Sequence, residues 1–267
     1  MKVAVLLCGQ PRRALDTCTD IINKIILPNN ADVFIHCWYD SENKYIDKVE
    51  KDRGCCIIED NIDQKLIEIY KPKSYFFEKQ KFKNFNNYNC DYFKCNEKYI
   101  NNLSKCGKNQ DLTYEQVKTN YLKGGFISQL YSIFRCNLIK EEYGLENNIL
   151  YDCVIRLRFD VTIQKTLICE DFDMNYIYYQ AMGQPDGLIS DWFNMGSNQI
   201  MNIYSSVFLN LKYLNDCEGF YKYSEREKVT YYDGSICTIA PEYLFRDLFY
   251  KYNIPKKGID LGIGHID

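Results

Sequence analysis

Two histidines are all that the 267 residues contain, and neither stands in a nucleophile motif. That scarcity argues against hydrolysis through an acyl-enzyme, which needs a base beside a serine or cysteine. A run of about 18 apolar residues is also missing, so nothing in the sequence reads as a membrane-spanning helix. Charge of one sign is not in excess: 33 Lys and Arg stand against 36 Asp and Glu, for a net charge of -3. Without a broad basic field, a nucleic-acid partner is not expected. There is no GxGxxG fingerprint and no Walker lysine loop, which counts against a dinucleotide dehydrogenase or an ordinary ATPase.

Cysteine, by contrast, is plentiful at 13 residues. Several lie within apolar runs (Cys8, Cys37, Cys153, Cys237), where free thiols behave as small hydrophobes. The count is odd, the chain is too large to need disulfide staples, and no secretory signal precedes the first apolar run, so a reducing, cytoplasmic compartment is expected. Cys90, Cys95 and Cys106 are loosely spaced without accompanying histidine, and a structural zinc site is not expected.

The pattern along the chain is that of an α/β protein with a Rossmann-like central sheet flanked by helices, read as one domain over 1–267. Lys2 to Cys8 is a continuous apolar run of the kind a central parallel strand needs. Gly9, Gln10 and Pro11 break it, and a helical stretch runs to Ile26. Asp32 to Trp38 reads as a second buried strand. Asn61 to Tyr70 predicts a helix and Ser74 to Phe77 a short strand. Lys79 to Gln110 has weak periodicity and reads as an irregular excursion. Helical spacing returns over Gly125 to Tyr143. Later expectations are a strand over Met174 to Tyr179 and helices over Ile200 to Leu214 and Pro241 to Tyr252.

The most informative stretch is YDCVIRLRFDV, Tyr151 to Val161. An apolar strand that ends in Arg156, Arg158 and Asp160 makes sense where its end meets solvent or a ligand at the rim of a sheet. Two guanidiniums beside a carboxylate suit an anion, with or without a divalent ion, or equally a salt-bridged strand end. The turn after the first strand adds Gly9 and Gln10, then Arg12 and Arg13 near a helix start, where free amides favour anions. Together they would form a diphosphate cradle; taken alone, the arginine pair fits a solvated helix start as well.

Asp160 is the metal-ligand candidate, since Mg and Mn accept mostly oxygen ligands. His265 would add a nitrogen if Mn is used, or it is an ordinary surface histidine. His36 sits in an apolar run and reads as a packed residue. Asp186, Asp191 and Asp233 are candidate carboxylates for taking a proton from an acceptor hydroxyl, although Asp233-Gly234 also fits a turn. Asp191 adjoins Trp192 and Phe193, aromatic faces suited to a sugar ring.

Five blocks in order, VAVLLCGQPR, DVFIHCW, DCVIRLRFDV, DWFNMGSNQIM and APEYLF, resemble glycosyltransferases of the GT-A type. The resemblance is to the poorly characterised group found in giant viruses and bacterial surface-polysaccharide loci. It implies a nucleotide-sugar donor, a UDP-sugar favoured, over the carboxyl ends of the first strands, bound by residues 1–161. Residues 162–267 would then face a glycan or glycoprotein acceptor. For a viral protein the compartment would be the host cytoplasm. The family's Asp-x-Asp metal motif reads Arg158-Phe159-Asp160 here, so the first acid is absent and the arginines take over part of the charge neutralisation. The exit of the second strand, Trp38 to Asp40, resembles a base or ribose contact, which makes Asp40 a donor-site candidate. FNMG at Phe193 to Gly196, with Asp233, resembles a block of some retaining members. By this likeness Arg12, Arg156 and Arg158 stabilise the leaving diphosphate, Asp160 and His265 hold the metal, and Asp191 or Asp233 faces the acceptor. The alternatives are a sugar-phosphate nucleotidyltransferase and a non-catalytic carbohydrate-binding protein.

Overall fold

The computed structural model describes residues 1–42, 58–80, 125–181, 189–210 and 241–265. The opening apolar run is strand β1 (Val3–Gly9), buried along nearly its whole length. Successive side chains of a strand point to opposite faces. Val3, Val5 and Leu7 accordingly enter one core, while Ala4, Leu6 and Cys8 enter another. A strand covered on both sides has to read as continuous apolar sequence, and β1 does.

Helix α1 (Ala14–Ile21) follows and passes into one wider π turn at Ile22–Ile26. Strand β2 (Asp32–Trp38) is buried at all seven positions. Next come α2 (Ile62–Tyr70), β3 (Ser74–Glu78), the long helix α3 (Gly125–Asn147) and β4 (Cys153–Leu157). The second half supplies β5 (Val161–Thr162), β6 (Ile177–Gln180), β7 (Phe193–Ser197), α4 (Asn198–Ser205), α5 (Pro241–Lys251), β8 (Lys256–Ile259) and β9 (Gly264–His265).

Seven strands form one sheet in the order β3-β2-β1-β4-β7-β6-β8, and β5 pairs with β9 apart from it. β1 runs parallel to both β2 and β4, and β2 parallel to β3, whereas β7 is antiparallel to β4 and β6. One face packs against α1 and α2 through Ile21, Ile25, Ile62 and Leu66. The other packs against α3, α4 and α5 through Ile133, Cys136, Met201, Phe245 and Leu248. The expected mixed α/β sheet with helices on both faces is what the chain forms.

Several elements depart from the sequence pattern. Strand β7 occupies FNMGS, where Asn194 and Gly196 interrupt the apolar signal. Asn194 is tolerated at 0% exposure because its amide donates to the Ser190 carbonyl at 3.0 Å and accepts from the Tyr204 hydroxyl at 2.7 Å. A satisfied buried amide carries little penalty. The strand expected to begin at Met174 begins at Ile177. The helix expected from Ile200 begins at Asn198, capped by Ser197, whose Oγ accepts from the Ile200 amide at 3.4 Å. Edge strand β8 carries Lys256 and Lys257, a composition that protects an exposed edge and hides the strand from a hydrophobic pattern. Most of the irregular excursion expected over 79–110 lies outside the described residues. All six described cysteines are free, and five of them are buried.

The central position of β4 gives a direct test of this packing. Ile155, at 0% exposure, fills the core beneath α1 and α2. Ile155→Ala is expected to cost about 2–5 kcal/mol, seen as a lower urea midpoint with an unchanged denaturant slope.

Candidate functional site

The chain leaves β1 toward β2 on one side and returns to pair β4 on the other. Between two such strands the loops at the carboxyl ends diverge and leave a crevice. A cleft of about 180 Å³ opens there, lined by Cys8 and Gly9 of β1 with Gln10 and Arg12 after it, by Trp38 at the end of β2 and Gln80 beyond β3, by Ser128 and Gln129 of α3, and by Arg156, Arg158 and Asp160. Gly9 stands at φ 123°, a conformation that glycine adopts without strain and that turns the chain into the cleft wall.

The register explains the arginines. Arg156 pairs with Leu6 on β1 and with Asn194 on β7, so it emerges between the two strands that flank the crevice. It is 1% exposed. Its Nε donates to Cys8 Sγ at 3.2 Å, and a terminal nitrogen donates to the Asp191 carbonyl. Burial opposes its charge, but Cys8, Tyr204 and Asp191 raise its pKa above the ordinary arginine value. The guanidinium stays charged.

Arg158 and Asp160 form a two-pronged pair, Nε to Oδ1 at 2.9 Å and a terminal nitrogen to Oδ2 at 2.7 Å. The remaining terminal nitrogen reaches Asp191 Oδ2 at 3.3 Å. That oxygen also accepts from Gln129 Nε2 at 2.5 Å, which ties α3 to the same cluster. Burial opposes the Arg158 charge, while its bonds to Asp160 and then the Asp191 charge outweigh burial and raise its pKa. Such parallel N–H···O pairs are among the stronger polar contacts in proteins. The turn itself is pinned from below, where the Thr17 hydroxyl of α1 donates to the Phe159 carbonyl.

The opposite wall is neutral. Gln10 donates to Gln80 at 3.2 Å, Gln80 donates to Ser128 Oγ at 2.9 Å, and the Trp38 indole donates to the Ser128 carbonyl at 3.1 Å. Trp38 also stacks on Tyr131, with ring centroids 5.5 Å apart. One end of the cleft is therefore cationic, and the other offers amides and an aromatic edge.

Of the residues singled out in the sequence, Gly9, Gln10, Arg12, Arg156, Arg158 and Asp160 line the cleft together. Asp191 lies one bond behind them and holds Arg158. Arg13 does not join them: it starts α1 with φ 52° and pairs with Asp16 at 3.1 Å. Asp40 is taken up by Lys79 at 3.3 Å and by the Glu42 amide at 3.0 Å. His265 pairs through its backbone with Val161, the residue after Asp160. His36 is a packed residue, bonded to Ser132 Oγ at 2.7 Å and Glu78 at 3.0 Å. Asp186 and Asp233 fall outside the described residues. Sequence reasoning missed Gln80, Ser128 and Gln129, which carry no motif; the rule that parallel strands end at one edge is the signal that leads to Gln80.

A divalent ion at Asp160 was the expectation, and the donor set does not fit it. Both Asp160 oxygens already accept from Arg158. Among the described residues, no group of three or more His, Cys, Asp and Glu side chains could hold a metal.

No family model matches the chain, and no curated protein matches it. Among solved structures, it is similar to the apo form of the glycosyltransferase GlyE from Streptococcus pneumoniae TIGR4, at 11% identity and a TM-score of 0.35. That similarity covers 96% of this chain and 45% of the other, so the chain spans less than half the length of that structure. No described helix is long and apolar enough to cross a membrane.

Arg12 makes no ion pair among the described residues, and its charge is available to an anion. Inorganic pyrophosphate is expected to raise the melting temperature by several degrees when well above its dissociation constant, whereas sodium chloride of equal ionic strength does not. Arg12→Ala should shrink that rise while moving the unliganded melting temperature by no more than about 2 °C.

Proposed function

We propose that the chain is a glycosyltransferase that moves a sugar from a nucleoside diphosphate sugar to a hydroxyl group of a glycan or glycoprotein. The observation that carries this reading is the convergence of Arg12, Arg156 and Arg158 on the crevice at the sheet's switch point. The amide and aromatic wall beside them suits a base and ribose. The ordered sequence blocks that resemble GT-A transferases supply the reaction class and favour a UDP-sugar.

In this reaction the bond from the anomeric carbon to the outer phosphate oxygen breaks, and its electron pair stays on the diphosphate. The acceptor oxygen forms the new bond to that carbon, and its proton passes to a base, for which Asp191 and Asp233 are the candidates. The step builds charge on the leaving diphosphate, and guanidiniums fixed in a partly buried cleft stabilise such charge without reorganising. Arg156 is held by its bonds to Cys8 and the Asp191 carbonyl, and Arg158 by Asp160 and Asp191. Asp160 thus acts through the position of a cation, and Asp191 holds that cation through Oδ2.

A thermal-shift panel of UDP, GDP, CMP and dTDP sugars, followed by an assay for released nucleoside diphosphate, tests the reading. At least one donor should stabilise the chain and be turned over with an acceptor. Pyrophosphate release from a nucleoside triphosphate and a sugar phosphate would replace this reading with a nucleotidyltransferase. Glycan binding with no nucleotide binding would replace it with a carbohydrate-binding protein. Asp160→Asn removes one prong of the Arg158 fork and should lower kcat/KM by about tenfold or more with the fold intact; unchanged turnover would remove Asp160 from the site.

A further inference from the structure

We infer that the diphosphate in this cleft is neutralised by arginine in place of a divalent metal, with Arg158 standing where a metal and its first carboxylate would otherwise be. The inference rests on the nucleotide-sugar reading above. It starts from Arg158-Phe159-Asp160, where a cation occupies the position two residues before the acid. The geometry then closes Asp160: its two oxygens each accept one N–H of Arg158, at 2.9 and 2.7 Å. Its side chain is 4% exposed against 21% for Arg158, so the guanidinium is the member of the pair that faces the opening. Asp191 is committed as well, through Arg158 and Gln129 on one oxygen.

The charges agree with this assignment. Among the described residues, Arg156 and Arg158 offset Asp160 and Asp191, and Arg12 adds one positive charge in excess. A cluster that already balances its own acids has no net negative field with which to draw a divalent cation. Arg12, beside them in the cleft lining, adds a planar N–H fork of the kind that matches phosphate oxygens in pairs.

Two measurements decide the matter. The first is calorimetric binding of UDP and GDP to the full chain in EDTA, in Mn and in Mg. Affinity in EDTA should lie within about threefold of that with metal, and Arg158→Gln should weaken it by about tenfold or more in every buffer. The second is the electron paramagnetic resonance signal of Mn alone titrated with protein. The native chain should leave the free-ion signal unchanged, and Arg158→Asp, which puts a carboxylate two residues before Asp160, should reduce it.

Nucleotide binding that appears only with metal would overturn the inference and leave the glycosyltransferase reading standing. Failure of every nucleotide to bind under any condition would overturn both. Loss of the free Mn signal with the native chain would also overturn the inference. Should Arg158→Asp not fold, the native chain and Arg158→Gln still give the deciding results.

Discussion

The cleft hangs on the burial of one guanidinium. Arg156 is a cation at the end of a central strand with almost no contact with water, a position that costs several kcal/mol unless polar groups replace the lost hydration. The replacements come from three separate segments. Cys8 belongs to β1, the Asp191 carbonyl to the approach to β7, and Tyr204 to α4. Because these groups converge on one buried charge, Arg156 ties the three segments together at the sheet edge. Asp191, anchored through its carbonyl, then offers its carboxylate to Arg158 and Gln129. The organisation of the cleft passes outward from the buried charge.

The two cores explain why this edge is free to serve a ligand. β1, β2 and β4 are covered on one face by α1 and α2 and on the other by α3 to α5, so their side chains are committed to packing. Only the segments beyond the strand ends can vary without disturbing either core, and the loops there carry function in open α/β sheets. The antiparallel β7 does not disturb this arrangement. Its amino end lies beside the carboxyl end of β4, which brings the Ser190 to Trp192 segment to the same edge as the arginines.

Much of this was legible in the sequence, for reasons that differ from one residue to the next. β1 is doubly covered and reads as an unbroken apolar run, and β2 and β4 read as largely apolar ones. The abrupt change to Arg156, Arg158 and Asp160 marks a sheet rim, because charge has no other stable place at the end of such a run. Gly9 and Arg12 followed from the rule that parallel neighbours end together. What was hidden depends on partners far along the chain. Asn194 looks like a break in a strand until Tyr204 satisfies it. Lys140 looks like a surface residue of α3, yet it is fully buried, paired with Glu141 at 2.6 Å and bonded to Asn198 and Asn202. Burial lowers its pKa, against the opposing pull of Glu141. The engagement of Asp160 was hidden for a related reason. Counting acids in a motif does not reveal that a neighbouring arginine already holds both oxygens of the acid that remains.

Arginine at position 158 also sets limits on what could replace it. Its three nitrogens serve two carboxylates at once, Nε and one terminal nitrogen to Asp160 and the other to Asp191. A lysine ammonium carries the same charge on one atom and cannot span both acids in a plane. Without the fork, Asp160 at 3% exposure and Asp191 at 8% would be two buried carboxylates with no cation bridging them. The planar guanidinium therefore serves the unliganded protein as well as the anion site. It bridges two acids beside a buried arginine, and it offsets their charge so that they do not cancel the attraction that Arg12 exerts in the cleft.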